Sequence, residues 1–259
     1  MVAGAAEGLG ASFSKELAKK GMNLIMVDVN ATKLVALGSG LEQRYPVKTK
    51  RINLDLAKEN AQLKCMEAIK ETGCRLLIYN AAYSRVKPFL ASSPEELDLY
   101  INVNARTPLK LVHSFAGYLK MNKLQGGILL MSSLSGIWGT KLVVPYSGTK
   151  GFNLLLAEAL SNELKPHRID VSVCCAGATA TPGYLGTNPA KGFFGPPVMD
   201  PAKVAEIALK NLGKRTVIIP GLNNRISCFL LTRILPRSFS VKIVNKVMSL
   251  TYSNINSEI

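Results

Sequence analysis

Short apolar runs alternate with segments of helical period along this chain, and that alternation constrains its fold more than any other feature. Residues 23–28 (NLIMVD), 47–54, 75–80 (RLLIYN), 127–133 (GILLMSS), 169–176 (IDVSVCCA) and 216–220 (TVIIP) read as strands. Several are apolar almost throughout, as parallel strands covered on both faces must be. Between them the spacing predicts helices over about 8–20, 31–44, 57–72, 95–121, 146–165 and 201–212. In the fifth of these, Phe152, Leu155, Leu156, Ala159 and Leu160 recur at helical spacing ahead of Pro166. Consecutive βαβ units of this kind predict an α/β fold, a doubly wound, Rossmann-like parallel sheet in a single domain. Residues 1–221 are assigned to the body of that domain, and 222–259 to a basic amphipathic extension of it. Three residues precede Gly4, so the first strand reads as truncated. The expectation is that the native chain starts upstream of Met1 or that the sequence is a fragment.

Composition narrows the function classes. Apolar residues make up 47% of the 259, enough for a sizeable core. The formal net charge of +15 is compatible with nucleic acid, a membrane surface or the phosphates of a dinucleotide. No zinc-finger spacing, heptad array or aromatic RNA-binding signature accompanies it, so nucleic acid is excluded. Five cysteines occur without C-x-x-C spacing, and Cys174 and Cys175 should face opposite sides of a strand. With His113 and His167 as the two histidines, no metal site is expected, and reduced thiols point to the cytoplasm. The start lacks the basic and apolar regions of a signal peptide, and no run of 18 apolar residues predicts a membrane span.

Gly4-Ala5-Ala6-Glu7-Gly8-Leu9-Gly10 is a G-x-x-x-G-x-G turn opening directly into a helical pattern. Glycines permit the sharp turn and a close backbone approach to a pyrophosphate lying at the helix N-terminus. Asp28 closes the next apolar run, where a carboxylate can take the hydroxyls of an adenosine ribose. Its charge, with that of Glu7, would repel a 2′-phosphate, so NAD is favoured and NADP is the alternative.

Tyr146 and Lys150 form Y-x-x-x-K at the start of a helix, where residues four apart share a face. A cation beside a phenol lowers its pKa and makes it a usable acid–base group. Ser132-Ser133 ends the preceding strand, with Ser133 thirteen residues before the tyrosine.

With these motifs in order, the sequence resembles the short-chain dehydrogenase/reductase family from Gly4 to about Gly221. The resemblance implies a soluble NAD(P)-dependent oxidoreductase that moves a hydride between nicotinamide and a carbonyl or alcohol. Asp55, followed by Leu56, sits where the family has an aspartate beside the adenine. Asn80-Ala81-Ala82 is similar to its Asn-Ala-Gly element, and Gly177 and Thr181 resemble the segment that meets the nicotinamide amide. Asn104 (rather than Asn102), Ser133, Tyr146 and Lys150 match its catalytic residues. Tyr146 then exchanges the proton, Ser133 holds the substrate oxygen, Lys150 lowers the phenol pKa and bonds the nicotinamide ribose, and Asn104 positions a water. The sequence departs from the family at Ala3, Ala82 and Ala176, which stand in place of threonine, glycine and proline. The resemblance also implies a homo-oligomer, since many members of the family are dimers or tetramers. A non-catalytic dinucleotide-binding scaffold or sensor is the alternative, against which the full catalytic set argues.

A Gly- and Pro-rich stretch, 181–200, reads as a lid. Its Tyr184, Leu185, Phe193, Phe194, Val198 and Met199 favour an apolar or moderately bulky substrate. Beyond it, 207–257 carries eight basic residues and no acidic one. Leu222, Ile226, Phe229, Leu230 and Ile234 form a helical stripe that Pro236 interrupts. That stripe is expected to dock on the body or on another subunit, with an amphipathic membrane contact through 222–251 as the alternative.

Overall fold

The computed structural model describes residues 1–190 and 197–253. The six apolar runs form strands within two residues of their expected limits: β2 (Leu24–Asp28), β3 (Thr49–Asn53), β4 (Leu76–Tyr79), β5 (Gly126–Ser133), β6 (Ile169–Ala176) and β7 (Val217–Ile218). A further strand, β1 (Val2–Ala3), precedes the glycine turn. All pair in parallel in the order β3-β2-β1-β4-β5-β6-β7. Short as it is, β1 lies in the middle of the sheet, with Val2 opposite both Met26 and Ile78. Burial follows position. β5 is buried along six of its eight residues, whereas the edge strand β3 is half-exposed and carries Lys50 and Arg51.

Helices cover both faces. α1 (Gly8–Lys19), α2 (Ala31–Arg44) and α8 (Pro201–Asn211) bury Phe13, Leu17, Leu34, Leu41 and Val204 on one side. α3 (Ala61–Thr72), α5 (Thr107–Met121) and α6 (Val144–Glu163) bury Ile69, Leu111, Phe115, Leu119 and Ala157 on the other. Cys174 joins the first core and Cys175 the second, as adjacent strand residues must.

The helix expected over 95–121 is interrupted. α4 (Pro94–Ile101) runs into a π-helical segment, Asn102–Arg106, before α5 begins. Pro108 explains the register change. It has no N–H to give the carbonyl four residues earlier, which belongs to Asn104. Thr107 N–H donates instead to Asn102 O, five residues back.

Two expectations beyond the sheet are modified. The 181–200 stretch contains a short helix, α7 (Pro182–Leu185), and a bridge between Thr179 and Met199; Phe193 and Phe194 lie outside the described residues. The extension forms α9 (Leu222–Phe229), a π-helical segment (Leu230–Ile234) and α10 (Arg237–Thr251). Its apolar stripe does not rest on the body. Leu222 and Ile234 are each 62% exposed and Phe229 58%, while Asn224 and Cys228 on the opposite face are buried.

Candidate active site

Strand order reverses between β1 and β4, and a crevice opens there beyond the strand ends. The cavity measures about 450 Å³, within the usual range for small-molecule sites. Gly4, Glu7, Gly8 and Leu9 line it from the turn after β1, and Asp28 from the end of β2. Asp55 and Leu56 enter from the loop after β3, Asn80, Ala81 and Ala82 from the end of β4, and Thr181 from above. Gly10, Gly177, Tyr146 and Lys150 do not line this cavity.

The glycine turn is shaped by contact. Gly4 has φ +75° and Gly8 φ +55°, the left-handed region that glycine adopts freely. A Cβ at Gly10 would stand 1.7 Å from Gly4 O, so α1 is drawn against the turn as no larger residue allows. Asn80 Nδ2 donates to the same oxygen at 2.8 Å, tying β4 to the loop. No side chain caps α1, which leaves the N–H groups of its first turn for an anionic ligand or water. These features fit the pyrophosphate of a nicotinamide dinucleotide.

Asp28 is fixed by two backbone donors, Ala6 N–H to Oδ2 and Asn30 N–H to Oδ1, both at 2.9 Å. Glu7 is not the free charge expected from sequence, because it forms an ion pair with Lys33. Its repulsion of a 2′-phosphate is therefore largely neutralised.

Ser133 stands at the end of β5, and its Oγ accepts from Ser135 N–H at 3.2 Å and from Ser135 Oγ–H at 2.9 Å. Tyr146 lies in the first turn of α6, with Lys150 one turn further. The Lys150 ammonium is 5.4 Å from the Tyr146 ring centre and donates to Met131 O at 2.8 Å. Burial pushes the Tyr146 phenol up to about 12, with a hydrogen bond from Ser133 opposing it. Burial likewise brings Lys150 down to about 8. The order differs from the expected one, in which the cation lowers the phenol. For each group the loss of water on burial outweighs the contacts that oppose it.

Asn104 connects the two regions. Its Nδ2 donates to Tyr83 O at 2.9 Å and Thr149 Oγ1 at 3.1 Å, and its Oδ1 accepts from Tyr83 N–H at 2.7 Å. Tyr83 lines the cavity and Thr149 adjoins Lys150, so one buried amide spans from cleft to catalytic helix. With the side chain engaged, a water would have to bind the Asn104 carbonyl, which already accepts from Asn153 Nδ2 at 2.9 Å and has a second lone pair.

Several contributors escaped the sequence reading. Val29, 69% exposed beside Asp28, lines the cavity with Leu54, Leu99 and Val103. Asn224 of α9 packs so closely on Gly177 that a Cβ there would meet its Nδ2 at 2.7 Å. Gly136 lets the loop between Ser133 and Tyr146 approach α6; its Cβ would lie 2.7 Å from the Lys150 carbonyl carbon. Ser147 secures that loop by donating to Ser135 O at 2.6 Å. An exposed valine after a strand-end acid was a usable signal, whereas the others depend on tertiary contacts.

Comparison with known proteins identifies the family. The family model for short chain dehydrogenases matches residues 1–190. A 7beta-hydroxysteroid dehydrogenase from Mediterraneibacter gnavus is 31% identical over 233 residues, covering 88% of this chain and 87% of the relative. A structure described for 7beta-hydroxysteroid dehydrogenase stereoselectivity superposes with a TM-score of 0.84 at 26% identity, covering 94% of this chain and 95% of its own. A short-chain dehydrogenase from Sphingobium yanoikuyae in complex with NADPH gives 0.78 at 25% identity, covering 85% and 87% respectively.

Proposed function

The chain belongs to the short-chain dehydrogenase family and is an NAD(P)-dependent oxidoreductase of CH–OH groups, and from that premise we propose that it reduces a ketone on a bulky apolar skeleton, with Tyr146 as proton donor. The observation that carries the reading is the Ser133, Tyr146 and Lys150 group. A phenol at about 12 stays protonated at neutral pH, while Lys150 at about 8 remains largely cationic. That pairing suits an acid whose conjugate base must be stabilised as it forms.

A bound reduced nicotinamide dinucleotide supplies the hydride. Gly8, Leu9 and Gly10 would hold its pyrophosphate, Asp28 its adenosine ribose, Asp55 and Leu56 the adenine side, and Gly177 and Thr181 the nicotinamide side. Ser133 donates to the carbonyl oxygen and holds it against the phenol. Tyr146 gives that oxygen its proton, and Lys150, over the ring, stabilises the resulting tyrosinate. Asn104 steadies the first turn of α6 through Thr149, and its carbonyl offers a place for the water that restores the phenol proton.

Asp28 supports NAD(H) over NADP(H), since a carboxylate anchored at the end of β2 would repel a 2′-phosphate on an adenosine ribose held there. The bulky apolar substrate is supported by the exposed Leu185 and Val198 of the lid and by the likeness to hydroxysteroid dehydrogenases. A scaffold role has no support among the relatives, which are named enzymes.

A panel of cyclic and steroidal ketones, followed at the nicotinamide absorbance with each cofactor, tests the proposal. Tyr146→Phe should lower turnover by at least about a hundredfold while cofactor affinity stays within about twofold. Retained turnover in that variant would end the assignment of Tyr146.

A further inference from the structure

We propose that the surface formed by α9, the following π-helical segment and α10 docks on an anionic lipid bilayer. Leu222, Ile226, Phe229, Leu230 and Ile234 recur at spacings of three and four, so they share one face of a helix. All are about half exposed or more, and Phe239 of α10 adds a further exposed ring. Large apolar side chains grouped in this way on a soluble surface mark an interaction site.

Charge identifies the partner. Arg225, Arg233, Arg237, Lys242 and Lys246 are interspersed with the apolar residues, and 222–251 contains no Asp or Glu. All five are exposed, and among the described residues none is ion-paired. A second copy meeting this face about a twofold axis would set Arg225 and Arg233 against their own equivalents, with no carboxylate in the segment to offset them. An anionic lipid surface neutralises the same cations and accepts the apolar stripe between its headgroups.

The surface is joined to the site. Lys141 N–H donates to Asn245 Oδ1 at 2.7 Å, and Asn245 Nδ2 donates to Gly139 O at 3.0 Å, binding α10 to the loop that leads into Tyr146. Ala190 N–H donates to Thr251 O at 2.8 Å, and the hydroxyls of Thr187 and Tyr252 lie 2.9 Å apart, binding α10 to the lid. Docking would hold the lid and the tyrosine loop near the lipid, where apolar ketones concentrate. That last consequence rests on the proposed ketone reductase activity, whereas the docking itself does not.

Co-sedimentation of the full chain with phosphatidylcholine vesicles, with and without about 30% phosphatidylserine, tests the surface. The partition coefficient should rise by roughly tenfold or more with the anionic lipid and fall in about 0.5 M salt. The triple variant Arg225→Gln, Arg233→Gln, Arg237→Gln should lose the preference for anionic vesicles. Phe229→Asn with Ile234→Asn should lose the attachment that survives high salt. These positions are exposed, so thermal melts should match the parent chain. Equal partition on the two vesicle types overturns the proposal. So does a micromolar dimer in sedimentation velocity that Phe229→Asn with Ile234→Asn splits, since the stripe would then belong to a second copy.

Discussion

The Lys150 ammonium lies 5.4 Å from the centre of the Tyr146 ring yet gives a hydrogen bond to the Met131 carbonyl, at 2% residue exposure. Burial lowers the lysine to about 8, so it changes charge within the working range, while the phenol at about 12 does not. Reduction should therefore hold steady below pH 8 and decline above it, as the cation that stabilises the tyrosinate is lost. Initial rates between pH 6 and 10 at saturating cofactor check this. Rates that stay level from pH 7 to 10 would separate the lysine's charge from the reaction.

The same burial has a stability consequence of known sign. A lysine depressed from 10.5 to about 8 binds fewer protons folded than unfolded between those values. Its contribution to stability therefore rises with pH from about 8 to 10.5, and its desolvation cost is fully present below 8. Lys150→Met removes a cost of about 3 kcal/mol and sacrifices the charged-donor bond to Met131 O, worth about 1.5–3 kcal/mol. Melts at pH 7 should show this variant as stable as the parent or slightly more so, with turnover abolished.

Two glycines should separate cofactor binding from chemistry. Gly10→Ala places a Cβ 1.7 Å from Gly4 O, which is backbone and cannot step aside. The turn must open, and dinucleotide affinity measured by cofactor fluorescence should drop by roughly a hundredfold or more, about 3 kcal/mol. Gly136→Ala instead presses on the Lys150 carbonyl carbon at 2.7 Å, away from the cavity. Its loss should fall on kcat, with affinity for the dinucleotide nearly unchanged.

Sheet and site were legible in the sequence to different degrees. Parallel strands are buried on both faces, so runs such as LIMVD and GILLMSS declare themselves, and the glycine turn needs residue types that few other structures need. The charge state of the turn was less readable. Lys33, which neutralises Glu7, is 26 residues away on α2, and no periodicity links them. The expectation for the Tyr146 phenol failed for a related reason: desolvation depends on everything packed around a group. The π-helical interruption at Asn104 was in principle readable, since Pro108 four residues on has no proton for that carbonyl. The stripe at 222–234 shows the limit of periodicity, which finds an amphipathic face but not what covers it.

Cofactor choice should turn on charge at Asp28. Asp28→Asn keeps an oxygen that can accept from Ala6 N–H or Asn30 N–H while removing the charge. The ratio of kcat/KM for NADPH to that for NADH should rise by roughly tenfold or more, about 1.4 kcal/mol. Glu7→Gln should shift the ratio the same way by freeing Lys33, with little loss of stability because the pair is about half exposed. An unchanged ratio in both variants would place the discrimination on other residues.

Asn153 offers the sharpest test of how Asn104 is held. Its Nδ2 donates to Asn104 O at 2.9 Å, which fixes the amide so that Oδ1 points the other way. Among the described residues Oδ1 is the buried side-chain oxygen with no partner. Asn153→Leu removes the unpaired oxygen and the donor together, and these changes oppose each other at about 1–3 kcal/mol apiece. The melt should shift by no more than about 1 kcal/mol. Asn153→Asp keeps the shape but faces an acceptor towards a carbonyl and buries a charge, so it should cost several times more. If Asn104 O takes part in proton return, both variants should lose kcat with cofactor affinity kept, and the loss should be milder in deuterium-insensitive steps than in the proton-transfer step. A leucine variant with parent kcat would confine Asn153 to packing.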